Sequence, residues 1–166
     1  MMRWIIAIAP LALAACGPTP EDKAAADARA VAEVEANQEP PPEELVPSPI
    51  TFADVESADM FGAGCNVLPK TGSAGGIAIA VAQSDAGYFK RDNEIIRMAS
   101  DAGSRELPYL AREKYSGLAY SMQLEIDEDA GKQSGDETMD YPSVLTIRDA
   151  QDRVVYRNVG TTQCGA

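Results

Sequence analysis

Three cysteines and no histidine define the chemistry open to this 166-residue chain. Histidine is the side chain most used for proton transfer at neutral pH and the commonest metal ligand. Without it, Ser–His–Asp and Cys–His nucleophile systems are excluded, and catalysis would have to run on carboxylates, lysine or tyrosine. Cys16 ends a short apolar leader, whereas Cys65 and Cys164 lie near the two ends of the region that follows the tail. In a compartment that oxidises thiols, those two are expected to form a disulfide. Such a bridge closes a loop of about 100 residues and stabilises by roughly 4–5 kcal/mol in the chain-entropy model. The alternative, a thiol metal site, would lack both histidine and a third nearby sulfur, so no metal and no cofactor are expected.

The leader places Arg3 near the start, an apolar run over 4–12 broken only by Pro10, then small residues up to Cys16. The run is too short to cross roughly 30 Å of hydrocarbon, which needs about 20 apolar residues. It fits a secretory signal peptide over 1–15. Leu13-Ala14-Ala15-Cys16 resembles the lipobox of bacterial lipoproteins. The resemblance implies a thioether-linked diacylglycerol on Cys16, cleavage before it and acylation of the new amino terminus. One acyl chain binds a bilayer marginally and two anchor it stably. Gly17, where an aspartate would direct inner-membrane retention in well-studied Gram-negative bacteria, implies an outer-membrane anchor facing the periplasm.

Residues 16–48 read as a lipidated tether and 49–166 as one domain. From 17 to 48 there are eight acids and two bases, a net of about −6; from 49 to 166 there are eighteen acids and eleven bases, about −7. That balance argues against nucleic acid as a partner, since nucleic acid needs clustered Lys and Arg. It equally opposes electrostatic adhesion to an anionic bilayer, so membrane contact would rest on the lipid. Thr19-Pro20-Glu21-Asp22 predicts a helix start, with a hydroxyl N-cap, proline at N1 and acids in the first turn. The helix should run to about Ala36, end at Asn37 and bury nothing, because Val31 and Val34 are its only sizeable hydrophobes. Pro40, Pro41, Pro42, Pro47 and Pro49 then predict a stiff spacer.

Beyond Ile50 the period changes to two. Leu118, Tyr120, Met122, Leu124 and Ile126 alternate with small or polar residues, the pattern of a strand with one buried face. Ile77, Ile79 and Val81 alternate with Ala78, Ala80 and Ala82, whose alanine face should lie against something close. Asp85-Ala86-Gly87, Asp92-Asn93 and Asp149-Ala150-Gln151-Asp152 predict hairpin turns around runs at 88–90, 94–98, 144–148 and 153–157. No amphipathic helix is read in the domain, although 109–115 could form a turn of one. The expected fold is all-β, a small antiparallel barrel or sandwich of six to eight strands, fastened at its ends by the disulfide.

Candidate contact residues are few. Asp127-Glu128-Asp129 with Asp136, Glu137 and Asp140 is oxygen-rich, but it misses the EF-hand spacing and reads as a solvated hairpin. Gly75-Gly76 is too little for a phosphate loop, and Lys90-Arg91 suits a hairpin edge. Tyr109 and Tyr115 could form a stacking platform for a glycan. Ser116-Gly117-Leu118-Ala119-Tyr120 resembles the Ser-Gly-x-x-Tyr motif of periplasmic inhibitors of C-type lysozymes, which are lipid-anchored small barrels with a disulfide. The resemblance implies Ser116 and Tyr120 as contacts. The aromatic residue and Lys-Gly pair that follow in that family are missing from 121–129. The whole points to a non-catalytic interaction module of the cell envelope, held to the bilayer through Cys16. Its partner would be an envelope protein or peptidoglycan glycan, with inhibition of a cell-wall hydrolase as the rival reading. A close carboxylate pair in a pocket would favour an enzyme, and a protruding hairpin over 116–120 would favour the inhibitor.

Overall fold

The computed structural model describes residues 19–38, 41–69 and 77–166, in two compact units, Met1–Pro41 and Pro42–Ala166. In the first unit, helix α1 (Pro20–Ala36) begins and ends at the predicted signals. The Thr19 hydroxyl accepts from the Asp22 N–H at 3.1 Å, and the Asp22 carboxylate accepts from the Thr19 N–H at 3.1 Å. This reciprocal cap satisfies donors that the first turn cannot pair. Asn37 closes the helix by donating its side-chain amide to Glu33 O at 2.7 Å. Every residue of α1 is exposed, as its lack of an apolar stripe requires.

The second unit is a closed eight-stranded antiparallel barrel with one added strand. The strands are β1 (Gly64–Pro69), β2 (Ala80–Ala82), β3 (Ala86–Arg91), β4 (Glu94–Ser100), β5 (Lys114–Ser116), β6 (Tyr120–Ile126), β7 (Lys132–Gly135), β8 (Thr138–Asp149) and β9 (Val154–Gly165). Each neighbour in the order β6-β5-β4-β3-β2-β1-β9-β8 pairs antiparallel, and β6 also pairs with β8, which closes the wall. The sandwich alternative is therefore set aside. Strand β7 takes the first residues of β8, Thr138 to Asp140, and β6 takes over from Ser143. Pro142 sits at that handover. Its carbonyl accepts from the Asp127 N–H at 2.9 Å. N–H and C=O of one residue point to the same side in an antiparallel strand, so the donor that proline lacks falls where the edge changes partner.

An eight-stranded barrel is just wide enough for side chains to fill. Phe89, Met98, Tyr115, Met122, Leu124, Leu145, Ile147 and Val67 do so, each no more than 2 % exposed. Ala80 and Ala82 belong to this interior cluster, which is where the small alanine face of β2 is used. Met122, Leu124 and Ile126 point inward as their alternation predicts, but Leu118 does not continue it. It lies beyond the strand, wholly exposed. Strands β8 and β9 are twelve residues each, far longer than the runs predicted around their turn.

Two features correct the sequence reading. A short helix, α2 (Phe52–Ser57), does exist in the domain, capped by Thr51 and Asp54 in the same reciprocal way as α1. It lies outside the wall, where Val55 and Ala58 pack on Val81, Tyr88, Ile50 and Met60. The chain also joins the barrel before residue 49. Leu45 is buried and its N–H bonds Val155 O at 3.0 Å, and the Ser48 N–H bonds Lys90 O at 2.7 Å. Tether-like proline content thus continues into residues fixed on the wall.

Cys65 on β1 and Cys164 on β9 stand directly opposite each other and form the expected disulfide, with Cα atoms 4.0 Å apart across a sequence separation of 99 residues. It joins the first strand to the last. Cys65→Ser, or reduction of the native protein, is expected to lower the melting temperature by on the order of 10 °C in calorimetry. A melting curve indifferent to reductant would contradict this. The α2 attachment has a pH signature. Lys90 donates to Asp54 at 2.9 Å, and this bond, then those from Thr51, hold the Asp54 carboxyl down to about 2 from its ordinary 3.8. A depressed carboxyl contributes stability above its unfolded value and loses it as pH falls through the folded one. Asp54→Asn is therefore expected to flatten the loss of stability between pH 3.8 and about 2 in acid titrations of denaturation midpoints.

Candidate functional site

The barrel has two distinct ends. One carries the β3–β4, β5–β6 and β8–β9 turns, together with the place where the chain joins at Leu45. The other carries the start of β1, the β2–β3 turn, the long β4–β5 connection and the disulfide.

At the first end, Ser116 pairs with Ser121, and the Gly117 N–H donates to Tyr120 O at 2.8 Å. Leu118 and Ala119 form the exposed tip. A Cβ on Gly117 would lie 3.1 Å from Met98 Cγ, so glycine there lets the hairpin lie close against β4. Ser116 is displayed. Tyr120 is not: its ring meets Phe89 edge-on at 5.3 Å, and its hydroxyl accepts from the Arg91 guanidinium, which also holds Glu43 at 3.0 Å. The two residues implied by the lysozyme-inhibitor motif are therefore split between surface and wall.

The stacking platform expected from Tyr109 and Tyr115 does not exist. Tyr115 lies inside the barrel with no exposed surface. Its hydroxyl donates to Gln83 O at 2.8 Å and accepts from the Arg112 N–H at 2.7 Å, and burial pushes its pKa up to about 12. The signal that marks its place is Gly87. A Cβ there would fall 2.6 Å from both Tyr115 Cγ and Met122 Cε, so the strand gives up a side chain to admit the ring.

At the second end, the β4–β5 connection folds into a small hairpin. The Leu107 N–H bonds Ala111 O at 2.8 Å, and both residues are buried. Its tip is a 3-10 turn, Pro108–Leu110, with Pro108 O 3.6 Å from Cys65 Sγ. Tyr109 and Leu110 are both left-handed, at φ 56° and 65°. Asp92 and Asp152 share that region in hairpin turns, where aspartate tolerates it. Two bulky residues in succession are unusual, at a cost of roughly 1–2 kcal/mol each. The result is a Leu110 that is 59 % exposed.

Leu110 and Tyr109 form one side of a groove of about 220 Å³ whose other sides are Asp59 and Phe61, and Asp85 with Tyr88. Gln83 holds two of these walls together. Its side-chain amide donates to Met60 O at 3.3 Å and Phe61 O at 3.2 Å. Arg97 lies 5.9 Å above the Tyr88 ring and 3.2 Å from the Asp85 carboxylate.

The acidic stretch lies elsewhere. Glu128 pairs with Arg105 at 3.1 Å, and Asp140 accepts from Ser134 at 2.8 Å and Gln163 at 3.0 Å. Among the described residues no group of three acidic or cysteine side chains converges as a metal site requires. Cys16, the leader before it and Gly75-Gly76 lie outside the described residues.

Tyr115→Phe strips partners from a buried carbonyl and a backbone N–H, and is expected to cost about 1–3 kcal/mol of stability in urea denaturation. Ser116→Ala, on the open surface, should stay within about 0.5 kcal/mol.

No family model matches the chain, and comparison with the curated proteins and with the solved structures found no match.

Proposed function

We propose that the chain is a lipid-anchored protein of the bacterial cell envelope whose barrel is a non-catalytic binding module. The anchor rests on Leu13-Ala14-Ala15-Cys16 and the leader before it. The binding role is carried by one observation: the barrel interior is packed with side chains, so a partner meets this domain through its outer loops. Phe61 and Leu110 line one groove at one end and Leu118 tips a hairpin at the other, each more than half exposed.

The second reading, inhibition of a lysozyme-like cell-wall hydrolase, is favoured by the projecting tip at Leu118, beside the displayed Ser116. An inhibitor enters an enzyme cleft with such a tip. Under this reading the hairpin itself makes the contact, and Leu118→Asp abolishes inhibition in a cell-wall turbidity assay.

In detergent phase partitioning, the wild-type protein is expected in the detergent phase and Cys16→Ser in the aqueous phase, with a mass lacking the acyl chains. Equal partitioning would overturn the anchor. Photo-crosslinkers placed in turn at exposed loop positions in intact envelopes are expected to capture a partner from at least one barrel end. Capture from none would overturn the binding role.

A further inference from the structure

We infer that the groove lined by Phe61 and Leu110 docks a peptide segment of a protein partner that carries both apolar and basic side chains. The inference rests on the barrel being a binding module and names the chemistry of what it binds. Phe61 is 56 % exposed and Leu110 59 %, and both line the same groove. Phe52, 71 % exposed, meets the Phe61 ring edge-on at 6.3 Å and extends the apolar surface onto α2. The exposed valines at 46, 154 and 159 line no part of this groove. A left-handed Leu110 gains nothing for the fold by standing in solvent, so a covering apolar group is what its placement serves.

Charge selects among apolar partners. The groove carries the exposed carboxylate of Asp59 and that of Asp85, 71 % exposed. Arg97, the cation reaching this rim, is neutralised by Asp85 and lies over the Tyr88 ring. A lysine or arginine laid along the groove would meet the Asp59 carboxylate, with Asp85 shared with Arg97, whereas an acidic segment would be repelled by the net negative rim. Position agrees. The groove lies at the end of the barrel away from Leu45, where the chain joins the wall, so a partner approaches it without meeting the tether's attachment.

The test uses the mature protein in nonionic detergent and three fluorescein-labelled heptapeptides: leucine alternating with lysine, leucine alternating with glutamate, and serine alternating with lysine. Fluorescence anisotropy is expected to show binding of the leucine–lysine peptide alone. Leu110→Gly relieves the left-handed backbone, so it should raise the melting temperature while weakening that binding about tenfold. Asp59→Asn should weaken it and flatten its salt dependence, and Val159→Thr should leave it unchanged. Binding of none of the peptides, binding indifferent to Leu110→Gly, or equal binding of the leucine–glutamate peptide would overturn the inference. So would displacement by a chitin oligosaccharide with a dependence on Leu110, which would make the groove a glycan site. The broader binding role fails by a different result, the absence of any crosslinked partner from intact envelopes.

Discussion

Closure of the sheet is the constraint on which the rest of this structure depends. An open sheet leaves two rows of unpaired N–H and C=O groups, and a barrel removes both. Here closure uses two long-range seams. At one, β6 pairs with β8 over seven residues on each side; at the other, β1 lies along β9 with the Cys65–Cys164 bond across it. Because the wall is closed and narrow, the interior must be filled from within, and large residues such as Tyr115 and Met98 are admitted only where a neighbour is small. Gly87 and the alanines of β2 supply that room.

The filled interior also shapes the surface. The Tyr115 hydroxyl ties the core to Gln83, and the Gln83 side chain ties the barrel end to the backbone of Met60 and Phe61. One chain of hydrogen bonds therefore runs from the middle of the barrel to a side of the groove. Another stretch of its lining, Tyr109 and Leu110, stands on Leu107 and Ala111, which are buried in the barrel's core cluster. A loop built on buried supports holds its shape, and it can carry an energetically unfavourable backbone only because those supports over-determine it.

Much of this fold was legible in the residues, and the failures have physical causes. The alternation of Met122, Leu124 and Ile126 identified β6, and Asp92-Asn93 and the 149–152 turn identified two hairpins. Strand lengths were underestimated because Pro142, Gly160 and the polar Thr161, Thr162 and Gln163 dilute the alternation on β8 and β9. Barrel and sandwich could not be separated, since the choice lies in the pairing of β6 with β8, which no local pattern encodes. Helix α2 escaped because six residues are too few for a period, although Thr51 and Asp54 repeat the spacing of Thr19 and Asp22. Tyr115 read as half of a stacking platform because the residues that reveal its inward side, Met122 across the hairpin and Gly87, lie on other strands. The groove is assembled from three loops remote in sequence, and nothing local announced it.

The chain meets the wall at Leu45, at one end of the strands, while the groove opens at the other. Backbone hydrogen bonds in such a wall lie across the strands. Between those two ends the chain crosses the outside of the wall, held by single backbone bonds at Leu45, Ser48 and Ile50 and by the Lys90–Asp54 pair, before β1 begins at Gly64 on the groove's side. A pull on the chain ahead of Leu45 therefore meets those separate bonds one after another before it reaches the ladder of the sheet, whose first and last strands the sulfur bridge ties together.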